Sequence, residues 1–193
     1  MPDANDKRSY RTAQTMLTAG GILLLIAFAM PWATAQLPLA TGVDGATRAR
    51  AYTGQALFPG AAAAGWVCLA SVAGILATRA WGRTVIGIIV VIAGLAVAVV
   101  AVSFAVAPSP AIDAAARAEI GSSVSVAAAV TGWWALSLLG GVLAAVAGLW
   151  TVVRGRRWPA MGARYERTPP RTAAVTPWDA MDKGQDPTDD LVE

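Results

Sequence analysis

The chain of 193 residues has no histidine and a single cysteine, Cys68. No cluster of imidazole and thiolate metal ligands can be assembled from it, and no intramolecular disulfide can form. Charge is scarce as well, at 14% of residues against about 25% in an average soluble domain. Thr12 to Val43, Ala51 to Thr78, Thr84 to Ile112 and Ile120 to Val153 contain no Asp, Glu, Lys or Arg. A charge at the centre of a membrane helix costs roughly 2.5–3.5 kcal/mol on insertion scales, so this clearing is the mark of hydrocarbon as solvent. It also removes the deep ionisable groups on which membrane enzymes and ion-coupled transporters depend. There is no phosphate-binding loop of the Walker type, no Ser or Thr has a visible base, and Asp113 with Glu119 is too sparse for acid–base work. These lacks argue against an enzyme and imply neither catalytic residues nor a cofactor.

What is present is length and apolarity. A helix needs about 20 residues to cross a hydrocarbon core of roughly 30 Å, and each run suffices for one span but not for two with a turn. The runs are apolar all round, whereas a soluble bundle would show polar outer faces at helical period. The expected fold is therefore all-α: a polytopic four-transmembrane-helix bundle with spans at about 14–36, 57–78, 84–107 and 131–153. A short cytoplasmic N-terminal segment (1–13), expected to be disordered to about Arg11, precedes it and a mostly disordered tail (154–193) follows. The first run admits a competing reading as a signal peptide, since Lys7, Arg8 and Arg11 precede it and Ala33-Thr34-Ala35 resembles a cleavage site. It outruns a usual apolar region, however, and Met30-Pro31-Trp32 puts bulk before the cut, so a retained span is expected.

Lys7, Arg8, Arg11, Arg79, Arg83, Arg154, Arg156 and Arg157 flank the spans on one side. Positive-inside counting puts both termini in the cytoplasm. Preference for Arg over Lys, with abundant Ala, suggests a bacterium, hence its plasma membrane. Trp32, Trp133 and Trp134 fall near the outer boundary and Trp81, Trp150 and Trp158 near the inner one, as interface anchors do. Trp66 falls mid-span, where packing is expected and its N–H would want an acceptor. The tight connector Arg79 to Arg83 makes the second and third spans antiparallel neighbours. Pro38 to Gln55 reads as a loop. Around Asp113 and Arg117 a short helix and a solvated loop are equally supported.

In lipid, helices associate through small residues that allow close approach. Gly140, Ala144 and Gly148 form one such ridge on the fourth span, beside Gly141 and Ala145, and Gly87 and Gly94 mark a face of the third. Packing within the chain is the expected use of these residues, and of Cys68; a homo-oligomer seam is the alternative.

The tail opens with a basic–aromatic collar, Arg154-Gly155-Arg156-Arg157-Trp158, suited to membrane lipid headgroups. Being short and against the membrane, it does not point to nucleic acid. Its end is acidic. Thr176-Pro177-Trp178-Asp179 fits a helix start and Gly184 a stop, with Trp178 and Met181 on one side. A marginal helix of this kind suits docking of a cytoplasmic protein partner; a plain disordered tail is the alternative.

Trp178-Asp179-Ala180-Met181-Asp182-Lys183-Gly184-Gln185-Asp186-Pro187-Thr188 resembles the terminal signature of the tryptophan-associated transmembrane proteins of actinobacteria. The resemblance extends to Trp158-Pro159, Arg164-Tyr165-Glu166, Gly140-Gly141, Gly148, Ala77-Thr78-Arg79, Gly82-Arg83, Gly87 and Pro31-Trp32, while Met181, Lys183 and Gln185 replace a more usual Leu, Arg and Glu. It implies about four spans and genes lying among those of tryptophan biosynthesis, with no assigned activity. The function expected is an accessory or scaffold protein whose tail docks a partner through Trp178, Asp179, Met181, Asp182, Gly184, Asp186, Pro187 and Thr188. The alternative is a transporter or exporter component for a neutral or aromatic solute, with Trp66 lining a path.

Overall fold

Pro31 divides the first charge-free run into two kinds of structure. The computed structural model describes residues 4–38, 47–121 and 127–158. In it, helix α1 (Ala4–Ala29) stops just before Pro31 and strand β1 (Pro31–Pro38) begins at it. Proline lacks the N–H that a continuing helix needs and biases the preceding residue, here Met30, away from helical dihedrals. The span expected over 14–36 is thus corrected at both ends. Residues 4–11, expected to be disordered, form the first turns of α1, with Asp6 placed favourably in the first of them and Ser9 and Thr12 hydroxyls bonded to the Asp6 and Arg8 carbonyls.

β1 is the centre of an antiparallel sheet in the order β2–β1–β3, with β2 at Thr47–Thr53 and β3 at Ala128–Val130. The stretch expected to be a loop over 38–55 therefore contains a strand, whose alternation of Arg48, Arg50 and Tyr52 with Ala49 and Ala51 has the period of a pleated chain. Thr53 then caps a single turn, α2 (Gly54–Leu57), by accepting the Ala56 N–H.

Helices α3 (Pro59–Ala77) and α4 (Ala80–Val106) follow, then α5 (Ser109–Ile120), α6 (Trp133–Arg154) and a 3-10 turn (Gly155–Arg157). The third span starts at Ala80 rather than 84, because only Thr78 and Arg79 separate it from α3. Of the two readings left open for 109–120, the helix is the one found, and Gly121, at φ +78°, ends it in the left-handed conformation. Helices α1, α3, α4 and α6 are long and apolar enough to cross a membrane.

The main helix contacts run from α1 to α3, α3 to α4, α4 to α6 and α6 back to α1. Glycines let backbones meet along three of these seams. A Cβ added to Gly20 would lie 3.3 Å from the Gly140 carbonyl oxygen, and one on Gly140 would lie 3.2 Å from that of Gly20. Gly87 and Gly148 stand in the same reciprocal relation between α4 and α6, as do Gly94 and Gly141, while Gly65 meets the Gly21 carbonyl between α1 and α3. Ala144 is fully buried beside Gly20. Bulky chains such as Ile92, Leu95 and Val99 on α4 and Leu139 and Leu149 on α6 are exposed instead, as a lipid-facing surface requires.

Gly94→Ala would put a methyl 2.6 Å from the Gly141 oxygen and 2.7 Å from the Ala145 nitrogen. Being backbone, neither atom yields cheaply, so a loss of about 1–3 kcal/mol is expected, read as a lower thermal midpoint in detergent. Gly60→Ala, with nothing within 4 Å, should stay within about 0.5 kcal/mol of the parent. Equal responses would contradict the seam.

Candidate functional site

The sheet end of the bundle is organised around Trp32. A register shift in the pairing of β1 with β2 between Pro31 and Ala33 makes Trp32 the extra residue of a bulge, a device that re-aims a side chain. Its indole is fully buried, with the Phe28, Phe58 and Phe104 rings at centroid distances of 5.1, 5.8 and 5.2 Å. The indole N–H donates to the Ala27 carbonyl at 2.8 Å, one of the last-turn acceptors of α1 that lack an intrahelical partner. Gly54 lies flat against this ring, where a Cβ would come within 2.6 Å of Nε1. The Thr131 hydroxyl donates to the Pro31 carbonyl and its N–H to that of Trp32, which ties the entry to α6 onto the same strand.

Beside this knot is a polar cluster. Glu119, near the end of α5, accepts hydrogen bonds from Arg48 at 3.2 Å and the Tyr52 hydroxyl at 3.2 Å, and pairs with the Arg50 Nε at 3.3 Å. Burial pushes the Tyr52 phenol above its ordinary value. The Glu119 carboxylate adds to the rise by charge and hydrogen bond, and the two arginines oppose it. A cavity of about 640 Å³ opens over the cluster, between β2 and α5.

The opposite end is closed by Arg83. Its guanidinium is buried and donates from Nε to the Ile75 carbonyl at 3.1 Å, and from one terminal nitrogen to the Gly155 and Trp158 carbonyls at 3.3 and 2.9 Å. One side chain thereby satisfies acceptors at the ends of α3 and α6. Trp158 donates its indole N–H to the Ser9 hydroxyl at 2.8 Å and meets Tyr10 edge to face at 5.4 Å.

Residues 14–188 match the family described as tryptophan-associated transmembrane protein. The chain belongs to this family. Comparison with curated proteins and with solved structures gives no match.

The match to the tryptophan-associated transmembrane proteins takes in α1 from residue 14 onward, the other three long helices, the sheet and the tail segment. Its acidic residues, with Trp178, Asp179, Met181, Asp182, Gly184, Asp186, Pro187 and Thr188, lie outside the described residues. Within them, the expected anchors divide. Trp81 is 74% exposed, Trp133 and Trp150 are exposed with the Arg154 guanidinium 4.7 Å over the Trp150 ring, and Trp134 is half-buried against the core. Trp32 and Trp158 are corrected from anchors to interior plugs, because each is buried and has a protein acceptor for its N–H, with three aromatic rings around Trp32 and Tyr10 against Trp158. Trp66, expected to pack, is 65% exposed. Gly87, Gly94, Gly140, Ala144 and Gly148 all lie on helix seams. Among the described residues no group of His, Cys, Asp or Glu is arranged to hold a metal. Reading the sequence missed Glu119 as a hub, because its partners lie in a distant segment, and took Arg83 only as a topological charge.

Arg83→Gln leaves three carbonyls without their charged donor and should lower stability by at least about 2 kcal/mol in detergent unfolding, whereas Arg156→Gln, at an exposed position, should change little. Similar losses in both would refute the clamp. The Tyr52 contact requires a neutral phenol. It is complete below the free phenol value of about 10 and disappears as pH rises through the higher value of the folded chain. Absorbance titration should find a phenol ionising above 10 that is absent from Tyr52→Phe; ionisation of Tyr52 at or below 10 would contradict the contact.

Proposed function

We propose that this chain is a non-catalytic, multi-pass protein of a bacterial plasma membrane that presents its tail, from a fixed point, to a cytoplasmic protein partner linked to tryptophan metabolism. The observation that carries this reading is the anchoring of Trp158. Its carbonyl is held by Arg83 and its indole by Ser9, so the position of Trp158, the last described residue before the tail, is set jointly by α1, α4 and α6. A fixed departure point lowers the conformational freedom to be lost when a tail docks.

Two further features support it. Three helix seams are filled by backbone contact, which favours a rigid support over a passage. The family match also runs on to Thr188 and so includes the acidic tail segment. The clustering of Arg79, Arg83, Arg154, Arg156 and Arg157 at the Trp158 end supports a cytoplasmic side for that end under positive-inside counting. Trp66, the residue offered for a solute path, faces out of the bundle, so the transport reading has less behind it.

Crosslinking in cells followed by mass spectrometry, on the full chain and on one lacking residues 173–193, tests the proposal. At least one cytoplasmic protein should be captured only by the full chain, with membrane level and thermal midpoint unchanged. Trp178→Ala should weaken that capture by roughly tenfold, the cost of losing an aromatic anchor. Identical sets of captured proteins would sink the idea.

A further inference from the structure

The cavity over Glu119 does not end at the polar cluster. It shares Ala56, Ala115 and Ala118 with a second cavity of about 360 Å³. That one shares Phe58 and Ala111 with a third, of about 380 Å³, which reaches Ser103 and Phe104 on α4. The three form one groove along α5. From Ala118 to Ala111 it advances about 10 Å at helical rise.

The two ends differ in chemistry. At the sheet end, two half-exposed guanidiniums face one carboxylate, so Arg48, Arg50 and Glu119 together carry a net charge of +1. Arg48 gives Glu119 one hydrogen bond and Arg50 contacts it as an ion pair through Nε, and a guanidinium has about five N–H donors, so most remain for a second acceptor. Thr53 also lines this end. The middle is walled by alanines and the far end by Phe58 and Phe104. There the groove comes out on α4, beside the exposed Val102 and Val106, on a helix apolar enough to cross a membrane.

We propose that this groove binds a lipid with an anionic headgroup drawn from the surrounding bilayer, its phosphate against Arg50 and Arg48 and its acyl chain over Ala111 and Ala115 towards Phe104. The excess positive charge selects the head, and continuity with the hydrocarbon selects a lipid over a soluble anion. The site is independent of the tail and of any partner.

The full-length chain, stripped of lipid in mild detergent, is offered phosphatidylglycerol and phosphatidylcholine and read by native mass spectrometry. A photoactivatable phosphatidylglycerol then maps the contact. Phosphatidylglycerol should be retained at least about fivefold better, with crosslinks in residues 103–118 or 56–58. Arg48→Gln with Arg50→Gln should abolish the preference, as should Ala115→Phe, which fills the groove and leaves the charges in place. Arg50→Lys should keep it. Arg156→Gln with Arg157→Gln, at the other end of the bundle, should leave the 103–118 crosslinks unchanged. Equal retention of the two lipids, crosslinks confined to other segments, or an Ala115→Phe chain that folds and keeps the preference would overturn the proposal. So would displacement of the photolipid by glycerol 3-phosphate at the same concentration, which would mark a site for free anions.

Discussion

Close approach of glycine backbones is the constraint on which the other features of this bundle depend. Between lipid-embedded helices there is no hydrophobic driving force, so association rests on packing and on polar contacts. Reciprocal pairs such as Gly94 with Gly141 and Gly87 with Gly148 bring α4 and α6 to backbone contact, and Gly20 with Gly140 does so for α1 and α6. Once the axes are this close, little space is left between them for side chains. Leu17, Leu24, Val90 and Val97 fill what interior remains, while many other large residues are directed outward to lipid and the Trp32 and Trp158 rings plug the two ends.

Those plugs solve one problem in two ways. A helix leaves carbonyls unpaired in its last turn, and near a membrane they need partners from the protein. At the sheet end, the Trp32 indole supplies one donor to α1 and its aromatic neighbours complete the seal. At the other end, Arg83 supplies several donors at once to α3 and α6, and Trp158 closes over it. An arginine serves here because its planar fork can reach acceptors on different segments without bending any of them. The polar chemistry of the sheet end, Glu119 with Arg48, Arg50 and Tyr52, lies beyond its plug, on the sheet and α5.

How much of this was legible follows from what each signal measures. Absence of charge reports solvent, so Thr12 to Val43 correctly indicated lipid and still concealed a strand: β1 is apolar because it is the buried centre of a sheet. Pro31 was the local sign of the change. The alternation in Thr47–Thr53 was readable too, and was obscured by the Pro, Thr and Gly punctuation around it. Tryptophan near a boundary is ambiguous in principle, since an amphipathic ring suits a headgroup zone and an interior plug equally. Gly54 beside Trp32 and Ser9 beside Trp158 decide the matter, and neither neighbour is close in sequence. The small-residue ridges were legible because their period is that of the helix itself.

Helix α6 is synthesised after α1, α3 and α4, yet it carries half of each reciprocal glycine pair with α1 and α4. Without it, Gly20, Gly87 and Gly94 have no partner backbone to meet, and Arg83 lacks the Gly155 and Trp158 carbonyls. Assembly is therefore back-loaded: the fourth span acts as the keystone, and a chain interrupted before Trp133 would keep the α1–α3 and α3–α4 contacts and the Arg83 bond to Ile75 but lose the other half of the clamp.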